Sequence, residues 1–225
     1  MKRGKKYLEC LKKYDSALSY ELKQALDLVK SMAYAKFDET VDLSVKVNLK
    51  KSQSVRDTVV LPHQFRGEKR VLVFCKAEKE KEAQEAGAAF VGAEDLIEKI
   101  KGGWLDFDVA VATPDMMKDV GKLGMVLGRR GLMPNPKTGT VTFDLKGALS
   151  ELKKGRVEFR ADKTGVVHLA VGKVSMEPEK IAENVKAVVG EVKRKRPADA
   201  KGEFIQTVSV ASTMGPGVWV SMKDE

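Results

Sequence analysis

Cysteine, histidine and aromatic side chains are all scarce in this 225-residue chain, which has two cysteines, two histidines and 14 aromatics (eight Phe, four Tyr, two Trp). Cys10 and Cys75 stand far apart without C-x-x-C spacing, which argues against a disulfide framework or a zinc finger and fits a reducing, cytosolic compartment. With only His63 and His168, and no serine or cysteine in a nucleophile-elbow context, there is little material for a metal centre or for acid–base catalysis. No metal and no cofactor are expected, and His63 reads as a packing residue of a linker. Long apolar runs are missing too. The basic start MKRGKKYLECLKKYDS offers no signal-peptide core, and no window approaches a membrane span, so neither export nor a membrane partner is expected.

What the chain does have is positive charge, 41 cations against 32 acids for a net +9. With so few aromatics, that balance favours neutralising phosphate over stacking many bases. The charge is unevenly spread. Residues 1–66 and 157–225 together hold 25 cations and 18 acids, whereas residues 67–117 hold seven cations and 11 acids. The cations of the middle region therefore gather in and after GKLGMVLGRRGLMPNPKTGTV, residues 121–141, with five glycines, two prolines and no acid. Glycine and proline predict that this run is a loop, breaking the helix or strand that Leu123, Met125, Val126 and Leu127 would continue. Its Gly131-to-Lys137 segment approaches P-loop spacing, but Pro136 occupies the place of the second glycine and lacks the N–H that would cradle phosphate. The Lys193–Arg196 tract, just before Pro197, reads as the favourable cationic end of a helix.

The chain changes grammar twice. From Arg70 strand and helix alternate: Val71–Cys75, Glu78–Ala86, Ala89–Val91, Glu94–Lys101, Phe107–Ala112, a helix opened by Thr113 and Pro114, Thr140–Phe143 and Leu145–Lys154. This predicts a Rossmann-like three-layer α/β domain over 67–156. The flanks differ. A helix is expected over Tyr20–Ala33, followed by a strand in which Val41, Leu43, Val45, Val47 and Leu49 alternate with Asp42, Ser44, Lys46 and Asn48. Val55–Leu61 should pair nearby, and Val157–Ala161 should form a hairpin with Val166–Val171. A helix is expected over Pro178–Lys193, and strands Phe204–Ala211 and Val218–Met222 should enclose a turn. Neither flank makes a domain alone. The expected arrangement is a split α+β domain from 1–66 and 157–225, with the α/β domain inserted through two hinge-like linkers.

Three stretches carry a family resemblance: Ala35-Lys36-Phe37-Asp38-Glu39-Thr40, Leu127-Gly-Arg-Arg-Gly-Leu-Met-Pro-Asn-Pro-Lys137, and Ala211-Ser-Thr-Met-Gly-Pro-Gly217. With FDVAVATPDMM and FRADKTGVVH, they make the whole chain resemble the bacterial large-subunit ribosomal protein L-one family. The resemblance implies a cytoplasmic component of the large ribosomal subunit that binds rRNA of the mobile lateral stalk near the tRNA exit site. It further implies help in releasing deacylated tRNA, repression of its own operon through the mRNA, and a monomer when free. It also implies a binder, not an enzyme. RNA contact is carried over to Lys36, Phe37, Thr40, Ser212, Thr213, Met214 and Gly215, with Lys46, Arg160, Lys163, Thr164, His168 and Lys173 as neighbours. Arg129, Arg130 and Lys137 form an auxiliary basic loop. Hydroxyls facing 2′-OH groups, close backbone at glycine and apolar cover from Met and Phe suit folded RNA. The chain departs from the family at Arg129, where Gly-Pro-Arg-Gly is usual, in a shortened 50–57 segment, and at His63–Gly67. Two other readings stay open: a nucleotide-dependent enzyme on the inserted domain, and a generic basic RNA chaperone.

Overall fold

The computed structural model describes residues 3–49, 54–67, 69–197 and 202–221. The protein is mixed α/β and divides into two compact units, one made of Met1–Phe65 with Val157–Glu225, the other of Arg66–Arg156. The first opens with α1 (Lys5–Leu11), β1 (Ser19–Tyr20), α2 (Leu22–Met32), β2 (Thr40–Val47) and β3 (Arg56–Val60). The second holds β4 (Val71–Phe74), α3 (Ala77–Glu85), β5 (Phe90–Gly92), α4 (Glu94–Lys101), β6 (Val109–Ala112), α5 (Met117–Val120), α6 (Gly124–Arg129) and α7 (Leu145–Lys153). The chain then returns to the first unit through β7 (Arg156–Arg160), β8 (Val166–Lys173), α8 (Pro178–Arg194), β9 (Ile205–Ser212) and β10 (Gly217–Val220).

In the first unit a five-stranded sheet has the order β1-β10-β9-β2-β8. The alternation in β2 appears as one fully buried face, Val41, Leu43, Val45 and Val47, under the apolar stripes of α2 (Ala25, Leu26, Val29, Met32) and α8 (Ile181, Val185, Val188, Val192). Period 2 on the strand and period 3.6 on the helices thus close a single core. The opposite sheet face is covered by none of these helices. β3 and β7 form a separate two-stranded ribbon, where the sequence predicted a hairpin of the segment from Val157 with that from Val166. That pairing survives only as the Ala161–Val167 bridge and the Asp162 N–H donating to Val166 O at 2.9 Å. Ser19–Tyr20 is strand, not helix: Glu21 is extended (φ −62°, ψ 150°), and β1 runs parallel to β10. Met222 lies outside the described residues.

The second unit is a three-layer sandwich around parallel strands in the order β5-β4-β6. Val71, Val73 and Cys75 pack with α7 on one face, while Leu72 and Phe74 pack with α4 on the other, so β4 is apolar throughout, as a doubly covered parallel strand must be. The predicted strand Thr140–Phe143 is reduced to one bridge, Ala112–Val141. Around that bridge the Ala112 N–H donates to Thr140 O at 3.0 Å and the Thr142 N–H to Ala112 O at 3.2 Å, while the Asn135 N–H donates to the Thr140 side chain, Oγ1, at 2.8 Å. The glycine-rich run also departs from a plain loop: Gly121–Leu123 is a 3-10 turn and α6 follows it. Leu123 and Leu127 are buried, and their burial outweighs the roughly 1 kcal/mol that each helical glycine costs. Chain reversal comes only at Gly131, at φ +70°. Cys10 and Cys75 are free and buried, and burial pushes the Cys75 thiol up.

The turn before β8 depends on Gly165. Asp162 Oδ1 accepts the N–H groups of Thr164 and Val166, each at 2.8 Å, and these bonds, led by that from Val166, hold its carboxyl below the usual range. Gly165 closes the turn at φ +78°, and a Cβ there would stand 2.7 Å from the Val47 carbonyl oxygen. Gly165→Ala should therefore lower unfolding stability by about 2–3 kcal/mol, combining left-handed strain with backbone overlap. Urea denaturation checks this, and a loss below about 0.5 kcal/mol would show that the turn simply rearranges.

Candidate nucleic-acid interface

The segment 33–40 leaves α2 and returns as β2, while the turn 212–217 joins β9 to β10. Their adjacency follows from pairing, since Val41 lies opposite Ser212 in the β2–β9 ladder. Glu39, only 1% exposed, fastens the two. Its Oε1 accepts the N–H groups of Tyr34 and Ala35 at 3.0 and 2.8 Å, and its Oε2 accepts that of Met214 at 3.1 Å. Burial pushes this carboxyl up, but the hydroxyl of Ser212 and the amides of Ala35, Met214 and Tyr34 win, leaving it below its ordinary value. The buried Ser212 Oγ lies outside strict hydrogen-bond geometry, yet its hydroxyl still favours the charged carboxyl.

Other polar groups near the turn are engaged. Thr213 Oγ1 accepts the Thr40 N–H at 2.9 Å and donates to Thr40 O at 3.2 Å. Tyr34 Oη donates to Met214 O at 2.9 Å, and Tyr14 Oη to Gly217 O at 3.0 Å. The Gly215 N–H donates to Ser212 O at 3.1 Å, and a Cβ at Gly215 would lie 2.5 Å from Ser212 Oγ. Lys6 Nζ sits 5.9 Å from the Tyr34 ring centroid, which brings α1 and its cations to the same corner. On this rigid frame two large apolar side chains project into solvent, Phe37 at 57% and Met214 at 48% exposure, beside exposed Lys36.

Of the other sequence-predicted residues, Lys173 reaches back to Thr40 Oγ1 at 2.9 Å, Lys46 donates to Thr164 O, and His168 Nδ1 meets Ser44 Oγ at 3.0 Å. Thr40, Ser44 and Lys46 share the uncovered face of β2, whose register sets Thr40 against Lys173, Ser44 against His168 and Lys46 against Val166. The six residue steps from Thr40 to Lys46 span ~20 Å at strand rise. The predicted residues thus form a strip from the 212–215 turn along β2 and β8 to exposed Lys163 and Thr164, rather than a point. Two placements differ from the reading of the sequence. Ser212 is buried at 4% exposure, so its side chain supports the turn from beneath and does not line the surface. Arg160, though exposed, is on β7 and outside the five-stranded sheet. The exposed Arg129, Arg130 and Lys137 belong to the second unit, where Asn135 Oδ1 caps the Lys137 amide at 2.9 Å.

Sequence reasoning missed Glu39, Tyr34 and Asn184. Tyr34 and Glu39 lie beside or within the motif that carried the resemblance, but nothing in their spacing shows that they reach across to residue 214. His63, expected to pack in the linker, makes a polar contact instead, its Nε2 2.6 Å from Glu183 Oε2. Of the 193–196 tract, Arg194 pairs with Glu191 and Lys195 with Asp57, as expected for a helix end. Among the described residues no group of three or more His, Cys, Asp or Glu could hold a metal, and no helix is long and apolar enough to cross a membrane.

An immobilised turn with apolar tips, set at the end of a cation-bearing strand, defines a scaffold that presents a preformed recognition surface. Comparison with known proteins makes that class specific. Residues 29–216 match the model of the ribosomal protein L1p/L10e family. The chain is 70% identical over 223 residues to the large ribosomal subunit protein uL1 of Treponema denticola, covering 99% of both. It is 61% identical to the uL1 protein of Treponema pallidum over the full length of each, and 59% identical to that of Borrelia duttonii over 96% of this chain and 97% of that protein. The chain belongs to the ribosomal protein L1p/L10e family.

Proposed function

We propose that the strip from the 212–215 turn along β2 and β8 binds large-subunit rRNA of the mobile stalk. The chain is a structural ribosomal protein of the large subunit in the bacterial cytoplasm, consistent with its family and with the name its relatives carry. Through the same surface it represses its own operon by binding the mRNA, and on the ribosome it contacts and helps release deacylated tRNA at the exit site. It needs no catalytic group or cofactor, and it is monomeric when free. The observation that supports this reading best is the pair of exposed apolar tips, Phe37 and Met214, held on segments that one buried carboxylate ties together through the N–H groups of Ala35 and Met214. Ordering costs are met before RNA arrives, so contacts with sugar and base surfaces count nearly in full.

The test is binding of the full chain to a stalk rRNA fragment against a scrambled RNA of equal length, across salt concentrations. Strong discrimination is expected; equal binding to both would leave only a generic RNA chaperone. Met214→Asp should weaken specific binding by about 1–3 kcal/mol while barely changing the salt slope, because no phosphate-binding cation is lost. Replacing Lys36 should instead flatten the slope by about one unit.

A further inference from the structure

We propose that Trp219 extends this RNA surface to the far side of the five-stranded sheet by stacking an unpaired base, the intervening hydroxyls receiving the strand that carries it. This rests on the RNA-binding reading above. Trp219 is 43% exposed in the middle of β10, a strand flanked on both sides. Pairing sets it against Ser19 on β1 and Ser209 on β9, Ser209 against Ser44, and Ser44 against His168. Residues opposite one another point to the same face, so one row crosses the uncovered side of the sheet as Ser19, Trp219, Ser209, Ser44, His168. Next to it run Gly217, Ala211, Asp42 and Ala170, all small but one.

The physical character of this face is unusual for an apolar docking site. Around the indole the neighbours are too small to sandwich it, and it makes no hydrogen bond or ring contact among the described residues. The rest of the row offers hydroxyls and an imidazole, groups that pair with 2′-OH and base edges. Its cations, Lys46 and Lys173, lie on the same face at the β2–β8 side, which suits a polyanion, and the face is continuous with the strip from the 212–215 turn. His168 and Trp219 are three strand spacings apart, ~14 Å, the reach of a short unpaired segment rather than of one contact. A flat sheet with an aromatic platform and polar surroundings is the arrangement by which single-stranded bases are held with little dependence on sequence.

The chain has two tryptophans, and the other, Trp104, is packed in the second unit edge-on to Phe90 at 4.8 Å. Trp104→Phe therefore leaves Trp219 as the sole indole reporter. On titration with the stalk rRNA fragment carrying its flanking unpaired nucleotides, emission should be strongly quenched, and trimming those nucleotides should abolish the quenching. Trp219→Ala should weaken binding to the untrimmed fragment by about tenfold, as loss of one stacked base does, and Trp219→Phe should restore most of it. Unaltered unfolding midpoints in both variants are expected. Unchanged emission together with full affinity of Trp219→Ala, while Met214→Asp still weakens binding, would overturn the extension and leave the main site standing. Failure of the wild-type chain to prefer the stalk fragment over scrambled RNA would overturn both.

Discussion

Glu39→Ala should cost about 3–5 kcal/mol of unfolding stability and abolish specific RNA binding together. The substitution removes the acceptor for three N–H groups, those of Tyr34, Ala35 and Met214, and buried donors left without a partner cost about 1–3 kcal/mol each. Not all three are fully buried, which is why the sum falls short of the maximum. Glu39→Gln is the finer probe. Its amide keeps one acceptor oxygen but turns an NH2 group toward a backbone donor, so an intermediate loss is expected. Both variants also differ from wild type in pH dependence. The folded carboxyl is held below its unfolded value, so its stabilising contribution is complete above the unfolded value and is lost as pH falls through the folded one. Glu39→Gln should flatten the acid side of the stability profile; a wild-type acid limb in that variant would remove the carboxylate from its assigned role.

Asn184→Leu should cost about 3–4 kcal/mol, despite filling the same space with a more apolar side chain. Asn184 is fully buried on α8. Its Oδ1 accepts the His63 N–H at 2.9 Å, and its Nδ2 donates to His63 O at 2.9 Å and to Val171 O at 2.8 Å. Val171 is the extra residue at the β8 bulge, skipped in the β2–β8 pairing, so its carbonyl depends on this amide. Leucine would strand three backbone groups at once. Calorimetry or urea denaturation reads the loss directly, and a stability within 0.5 kcal/mol of wild type would mean that water replaces the amide without penalty.

The same two residues show where sequence reading stops. The alternation of Val41, Leu43, Val45 and Val47 and the helical spacing of Leu22, Leu26 and Val29 are repeated signals, and both elements stand where they predict. So do the alternating strands and helices around β4 to β6, because a strand apolar on both faces has few places to go. Glu39 and Asn184 are single polar residues among ordinary neighbours. Their importance lies in partners 175 and 121 positions away, which no local period encodes. The helix α6 was hidden for the opposite reason, as its glycines signal a loop and the burial of Leu123 and Leu127 overrides them. At the candidate surface the motif residues were legible as a family signature, but the burial of Ser212 was not, nor was the row that contains Trp219, since both depend on which strands become neighbours.

The strand order β1-β10-β9-β2-β8 has a consequence for synthesis. The second unit is contiguous and can fold as soon as its residues emerge, whereas β1 and β2 are made first and wait for partners made last. A nascent chain halted before β9 has no turn for Glu39 to hold and no strand beside β1. On the proposed function, RNA recognition would therefore switch on only when translation has passed β10, and an assembling ribosome would meet this surface as a finished molecule or not at all.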